Sequence, residues 1–381
     1  MKRFASLGLL VITGSLFLLS CKVHKNTNQF GNGSKELLDI INLVNNKWQS
    51  AHSPEERSFW DVAAYQTGNM EAYFVTKNEK YKQYAENWAS HNNWKGATSD
   101  NVNEWKYSYG EKPEFVLFGD WQCCFQTYID LYNLDKDEKK IARAKQVMEY
   151  ETGTSKNDYL WWADGLYMVM PVMVKLHNVT QNAVYLEKMN EYFEYANSIM
   201  YDSTEKLYYR DARYVFPAHK TVNGKKDFWA RGNGWVFAAL AKVLKDLPAS
   251  DKHRSEYIAK FTGMAKALKP LQQADGYWAR SLQDAEHAPG PETSGTAFFT
   301  YGLMWGINNG YLEKKEFLPV AKKAWSYLSK TAMQQDGMIG YVQPIGDRAI
   351  PGQVVDKNST ANFGVGAFLL AACEVYKYSV K

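Results

Sequence analysis

The feature that most constrains this fold is an alternation of two kinds of helical segment along nearly the whole chain. One kind is amphipathic with a charged face, at about residues 35–50, 79–95, 137–150, 182–200, 252–272 and 313–331. The other is richer in apolar and small residues, at about 58–76, 121–134, 160–177, 229–246, 293–309 and 360–377. Apolar residues at helical spacing mark both kinds. A helix apolar nearly all round is buried, whereas one with a charged face lies outside. Alternation of outer and inner helices means helical hairpins, and six hairpins close into an all-α (α/α)6 barrel. No low-complexity stretch or long linker interrupts the chain after residue 34, so residues 35–381 read as one barrel domain.

The N-terminus is of another kind. Lys2 and Arg3 precede an apolar run from Leu7 to Leu19, and Leu18-Leu19-Ser20-Cys21 reads as a bacterial lipoprotein cleavage box. The run is short for a membrane span and ends on a small residue, so residues 1–20 are expected to be a signal peptide. Cys21 would carry the lipid, residues 21–34 would form a flexible tether, and the domain would sit in the periplasm or on the cell surface. The lipid would be its only link to a membrane.

Three further cysteines, Cys123, Cys124 and Cys373, show no Cys-x-x-Cys or His-rich spacing. No metal site is expected, and buried free thiols are the simplest reading, with a disulfide through Cys373 left open. A net charge of +4 without a Lys/Arg run excludes a nucleic-acid footprint. No phosphate loop, dinucleotide fingerprint, nucleophile elbow or metalloprotease helix is present, so no cofactor is expected. The chain holds 13 Trp and 26 Tyr. Such side chains suit stacking on sugar rings, and equally suit the core of a large helical protein.

Candidates for chemistry are acids and bases beside aromatics at the starts of the inner helices. In a barrel these N-termini gather at one mouth, where small residues admit a ligand and helix dipoles favour an anion. The segments are Trp162-Ala163-Asp164-Gly165, Trp229-Ala230-Arg231-Gly232-Asn233-Gly234-Trp235, Glu292-Thr293-Ser294-Gly295-Thr296 and Asn362-Phe363-Gly364. Asp164 could be a simple helix cap. Its neighbours Trp161 and Trp162 could instead desolvate it, raise its pKa and make it a general acid. Asp120 opens the preceding inner helix and would approach Asp164 at the mouth, pushing one pKa higher still. Arg231 could hold a carboxylate through its planar fork, with Trp229 and Trp235 stacking on the sugar, or could pair with Asp227. Arg210, Asp211 and Arg213 form a second cluster that suits a salt-bridge network or substrate contact. His177 and His287 have no partner at readable spacing.

Together these segments resemble glycoside hydrolase family 105, the unsaturated rhamnogalacturonyl hydrolases, which is related to the family 88 unsaturated glucuronyl hydrolases. The carrying segments are Gln126–Tyr132, Trp161–Met168, Tyr209–Tyr214, Phe228–Trp235, Pro291–Thr296, Trp305–Gly310, Tyr341–Gly346 and Gly364–Tyr376. The resemblance implies an (α/α)6 barrel and removal of a terminal 4,5-unsaturated uronic acid by hydration of its C4=C5 bond. It implies Asp164 as general acid/base, Asp120 as its assistant, and Trp162, Trp229, Arg231, Trp235, Arg213 and Thr296 as substrate-binding residues. Many relatives carry two consecutive aspartates where this chain has Asp120-Trp121. The implied partner is an oligosaccharide with an unsaturated uronic acid at its non-reducing end, galacturonyl linked to rhamnose or glucuronyl on another glycan. Readings from other classes are a non-catalytic glycan-binding lipoprotein and an (α/α)6 sugar epimerase. The epimerase would need a histidine pair for proton transfer.

Overall fold

A computed structural model describes residues 1, 30 and 32–381 of the chain. The expected signal peptide, Cys21 and most of the tether lie outside the described residues. Those residues form twelve α-helices. The outer helices are α1 (Ser34–Ala51), α3 (Glu79–His91), α5 (Lys139–Thr152), α7 (Val184–Met200), α9 (Arg254–Leu268) and α11 (Lys314–Tyr327). The inner ones are α2 (Trp60–Thr76), α4 (Cys124–Asp135), α6 (Ala163–Thr180), α8 (Ala230–Asp246), α10 (Thr293–Asn308) and α12 (Asn362–Ser379).

The hydrophobic pattern dictates this sorting. Helix α10 buries every residue from Thr293 to Gly306, and α8 every residue from Ala230 to Leu244. Helix α3 buries only Tyr81, Ala85, Trp88 and Ala89. Each inner helix packs on the next, α2 on α4, α4 on α6, α6 on α8, α8 on α10, α10 on α12, and α12 returns to α2. The ring is closed, and it is the (α/α)6 barrel expected from the sequence.

Inner helices start together and end together. Asn362 at the start of α12 donates to Asp61 at the start of α2 (2.7 Å). At the far end Lys245 of α8 and Lys377 of α12 both pair with Glu71 of α2 (2.6 and 3.0 Å). Glycines set the spacing of the ring. A Cβ on Gly234 would lie 3.2 Å from the Gly295 Cα, so α8 and α10 touch through their backbones.

Loops that precede the inner helices interlock around the mouth. The first-turn amide of α6 donates from Ala163 to the Arg210 carbonyl (2.8 Å), that of α8 from Ala230 to Arg280 (2.8 Å), and that of α10 from Thr293 to Tyr341 (2.9 Å). These bonds satisfy helix-terminal donors that would otherwise be orphaned. Each also ties one hairpin's loop to the next. The turns at Ala274–Gly276 and Gln335–Gly337 lie within short hairpin-like pairings, Gln272 with Trp278 and Met333 with Ile339. Among the described residues no helix is long and apolar enough to cross a membrane. Cys123, Cys124 and Cys373 are buried free thiols.

Candidate active site

A cavity of about 400 Å³ opens among the inner-helix N-termini, and both candidate carboxyls lie in its wall. Asp164 is in the first turn of α6, but it is not the cap. The N-cap is Trp162, which provides no side-chain cap, and the Asp164 Oδ2 is buried without a hydrogen-bond partner. Asp120 sits in a 3-10 turn, Gly119–Trp121, ahead of α4 rather than on the helix itself. That turn is fixed by close packing. A Cβ on Gly119 would lie 3.3 Å from the Trp162 ring and 3.0 Å from Val169. The same indole stacks on Phe118 at 4.6 Å, so one tryptophan supports both acid-bearing segments.

Burial pushes the Asp164 carboxyl above the usual range, and the Arg210 and Arg231 guanidiniums pull it part of the way back. Asp120, 5% exposed, is pushed well above that range, first by burial and then by the charge of Asp164. Two carboxyls under one influence cannot both ionise readily, and the one nearer the arginine ionises first. Both carboxyls therefore hold their protons to higher pH than a free carboxyl does, the direction a general acid requires.

Arg210 stands beside this pair. Its Nε lies 3.3 Å from the Asp164 Oδ2, in a geometry that leaves the Nε without a hydrogen bond. Its Nη1 donates to Asp211 Oδ2 at 2.8 Å. Asp211 is buried and also accepts from Arg213 Nε and Nη2, both at 2.9 Å. One buried carboxylate thus holds two arginines at the cavity wall, and a bound anion would meet a pre-arranged pair. Trp60, Tyr109, Trp161, Met168, Ile345, Gly346 and Asp347 complete the wall.

Of the residues expected from the sequence, Asp164, Asp120, Trp162 and Arg213 line the cavity. Trp229, Arg231, Trp235 and Thr296 are not among its lining residues. Trp235 is fully buried against Tyr167 and Phe298. The Thr296 hydroxyl accepts from the Trp278 amide (3.0 Å). Trp229 donates from Nε1 to Gln343 Oε1 (2.9 Å), and Arg231 is spent on backbone carbonyls. His287 is structural, one of the two readings open to it from the sequence. It is buried, its Nδ1 accepts from the Val222 amide (3.1 Å), and its Nε2 lies 3.8 Å from Asp227. Asp227 in turn binds His219 (2.9 Å) rather than Arg231. His177 bonds the Asn182 carbonyl near the surface (3.0 Å).

Sequence reasoning missed Tyr109 and the Ile345–Asp347 segment. Tyr109 belongs to the same α3–α4 connection as Asp120, and the 345–347 segment belongs to the connection before α12, which closure of the ring brings to the mouth. Arg210 was legible only as part of a second charged cluster; the fold sets its guanidinium 5.8 Å from the Trp161 ring and so beside the Asp164 segment.

An aromatic-walled cavity with two buried carboxyls beside paired arginines thus sits at the mouth of a ring of helical hairpins. The chain belongs to Glycosyl Hydrolase Family 88, whose model matches residues 34–379, and it is a glycoside hydrolase by family. It is 33% identical over 389 residues to an unsaturated 3S-rhamnoglycuronyl hydrolase of Formosa agariphila, with 97% of each chain covered. A solved structure of a family 88 glycosyl hydrolase from Bacteroides vulgatus is 62% identical, with a TM-score of 0.90, covering 91% of this chain and 100% of that one. A second solved structure, named as a polysaccharide lyase, is 66% identical, with a TM-score of 0.88, covering 91% and 98%.

Proposed function

We propose that the enzyme removes a 4,5-unsaturated uronic acid from the non-reducing end of an oligosaccharide, with rhamnose as the sugar released next. The observation that carries this reading is the Asp164–Asp120 pair, its pKa values raised by burial, set beside Arg210 and Arg213. The name of the Formosa relative supports a rhamnose-linked uronyl substrate.

In such a substrate the C4=C5 bond is conjugated to the carboxylate, and C5 also bears the ring oxygen. It is an enol ether. The uronate carboxylate would pair with Arg210 and Arg213, which draws Arg210 away from Asp164 and raises that carboxyl further. Asp164 then transfers its proton to C4, and positive charge develops on C5 and the ring oxygen. Water adds at C5 and returns a proton to the ionised Asp164, with Asp120 assisting. The hemiketal opens, and the aglycone departs without attack at C1. One acid/base suffices, unlike glycosidases that need two carboxyl groups flanking the scissile bond.

The name of the 66%-identical structure favours a second reading, elimination rather than hydration. A lyase creates the conjugated bond from a saturated uronide, and the proposed hydrolase destroys it. An unsaturated uronyl-rhamnose disaccharide, and a saturated oligosaccharide whose uronyl residue carries a sugar on O4 as leaving group, separate the two when absorbance of the conjugated bond is followed. The hydrolase reading expects loss of absorbance on the unsaturated sugar and no change on the saturated one. A rise on the saturated sugar would overturn it. Parallel rates on galacturonyl-derived and glucuronyl-derived disaccharides would rank the aglycones.

The Lys2-Arg3 start, the Leu7–Leu19 run and Cys21 support a lipid-anchored enzyme working outside the cytoplasm. Cys21→Ser is expected to release active enzyme from the membrane fraction, and retention there would contradict the anchor.

A further inference from the structure

We propose that Arg231 is a positioning residue that clamps the segment Gln343–Asp347 as a fixed wall of the cavity, rather than a ligand of the uronate. The inference rests on the proposed uronyl hydrolase reading for its kinetic arm only. The Arg231 side chain is 1% exposed. Its guanidinium lies between two aromatic faces, 4.5 Å from Trp229 and 4.7 Å from Phe363. Its Nη1 donates to the Gln343 carbonyl at 2.7 Å, and its Nη2 to the Pro344 carbonyl at 2.9 Å. The forked end of the side chain is therefore turned to two consecutive carbonyls, and the next three residues, Ile345, Gly346 and Asp347, form part of the cavity wall.

The rest of the segment is tied down to match. Gln343 is fully buried and bonded on every side. Its amide donates to Glu292 (3.2 Å), its Oε1 accepts from Trp229 Nε1 (2.9 Å), and its Nε2 donates to the Arg348 carbonyl and to Gln353 Oε1 (2.9 and 3.0 Å). Beyond the clamp, Asp347 accepts from the Tyr214 hydroxyl (2.6 Å) and faces Arg213 at 3.6 Å. Arg213 is one of the two arginines at the acid pair. A continuous set of bonds thus runs from α8 through the 343–347 segment to the cation that would meet the substrate. Burying a guanidinium is costly and is tolerated where its donors are satisfied. Here that cost fixes the wall, so the wall's position depends on Arg231.

Arg231→Met and Trp229→Phe test this. The second variant keeps an aromatic face against Arg231 and removes only the bond to Gln343, so it stands in if the first fails to fold. The first readout is tryptic cleavage after Arg348, a side chain 46% exposed, followed on the whole enzyme without substrate. We expect cleavage to accelerate at least about 10-fold in Arg231→Met and less in Trp229→Phe. The second readout is kcat/KM on the unsaturated uronyl-rhamnose disaccharide and on its methyl ester. Misplacing a wall by about 1 Å costs on the order of 100-fold in rate, and we expect a loss of that size for acid and ester alike, leaving their ratio at the wild-type value. A ratio that collapses towards 1 in Arg231→Met, with Arg348 still resistant to trypsin, would overturn the clamp and make Arg231 the carboxylate ligand. If the disaccharide is no substrate at all, the proposed function fails, while the trypsin result still decides the clamp.

Discussion

The two ends of the barrel bury charges of the same type and treat them in opposite ways. At the closed end, burial alone would raise the pKa of Glu71. Lys245 and Lys377 outweigh it and hold that carboxylate well below its usual range. Lys175 is likewise shared between Asp130 and Asp246, at 2.5 and 3.4 Å. At the mouth, Asp164 and Arg210 lie 3.3 Å apart, yet Oδ2 of one and Nε of the other have no hydrogen bond. There burial wins, and the carboxyls rise. Paired charges lock helix ends together. Incompletely paired charges beside a cavity remain available to a ligand and to proton transfer.

This contrast predicts which end responds to which change, and Asp164→Asn should give the largest effect. Activity is expected to fall by at least about 1,000-fold, because the proton donor is lost. Asp164 has a raised folded pKa, so its contribution to stability is full below its unfolded pKa and lost as pH rises through the folded one. The variant should therefore melt no lower than wild type at neutral pH, which calorimetry would check. Glu71→Ala should do the reverse. Lys245 and Lys377 are 40% and 33% exposed and can turn to water, so loss of their partner is expected to cost about 1 kcal/mol of stability in denaturant unfolding, with kcat little changed.

Glu151 tests the same rule away from both ends. It is 1% exposed, and its only hydrogen-bonding side-chain partner is Gln122 (2.5 Å). Burial raises its pKa to about 8. The stabilisation it supplies when protonated is present below pH ~4.5 and is lost as pH rises towards 8. Glu151→Gln removes that loss and offers a donor to the unpartnered Gln122 Oε1. We expect a gain of roughly 2–4 kcal/mol at pH 8 and almost none at pH 4, and an equal gain at both would contradict the assignment.

Smaller effects should sharpen the picture at the mouth. Asp120→Asn is expected to lower kcat by about 10–100-fold. Asp164 ionises before Asp120, so Asp120 is neutral while Asp164 titrates. The alkaline limb of the pH–rate profile should then stay in place. A shift of that limb would mean that the order of ionisation is reversed. Tyr109, 65% exposed at the cavity rim, should matter least. Tyr109→Ala is expected to raise KM about 3–10-fold through loss of sugar stacking, with kcat retained.

The fold was legible because helical period and the two helix classes are local properties. Boundaries read from the sequence fall within a few residues of α1, α2, α8 and α10, and differ most at the C-terminal ends of α3, α9 and α11, the last two running on into a 3-10 turn and a π-helical turn. The acid pair was legible because tryptophans adjoin Asp164 in sequence. The glycine- and tryptophan-rich start of α8 is ambiguous in sequence for a physical reason. Small residues that would admit a ligand serve equally to let helices touch. A Cβ on Gly295 would fall 2.9 Å from the Ala230 carbonyl carbon, so this composition reports helix contact rather than substrate contact. Asp347 carried no such local mark, because its place arises from loops meeting across the ring, and Tyr109, in the same connection as Asp120, stood in no recognisable pattern.

The central claim is that Asp164 is the acid that saturates the C4=C5 bond. Its most direct test follows the conjugated absorbance and rhamnose release together, on an unsaturated uronyl-rhamnose disaccharide, with wild type and Asp164→Asn. The account predicts that both signals move in step with wild type and at least about 1,000-fold more slowly with the variant, whose fold is intact. Rhamnose released by the variant at near the wild-type rate would contradict it.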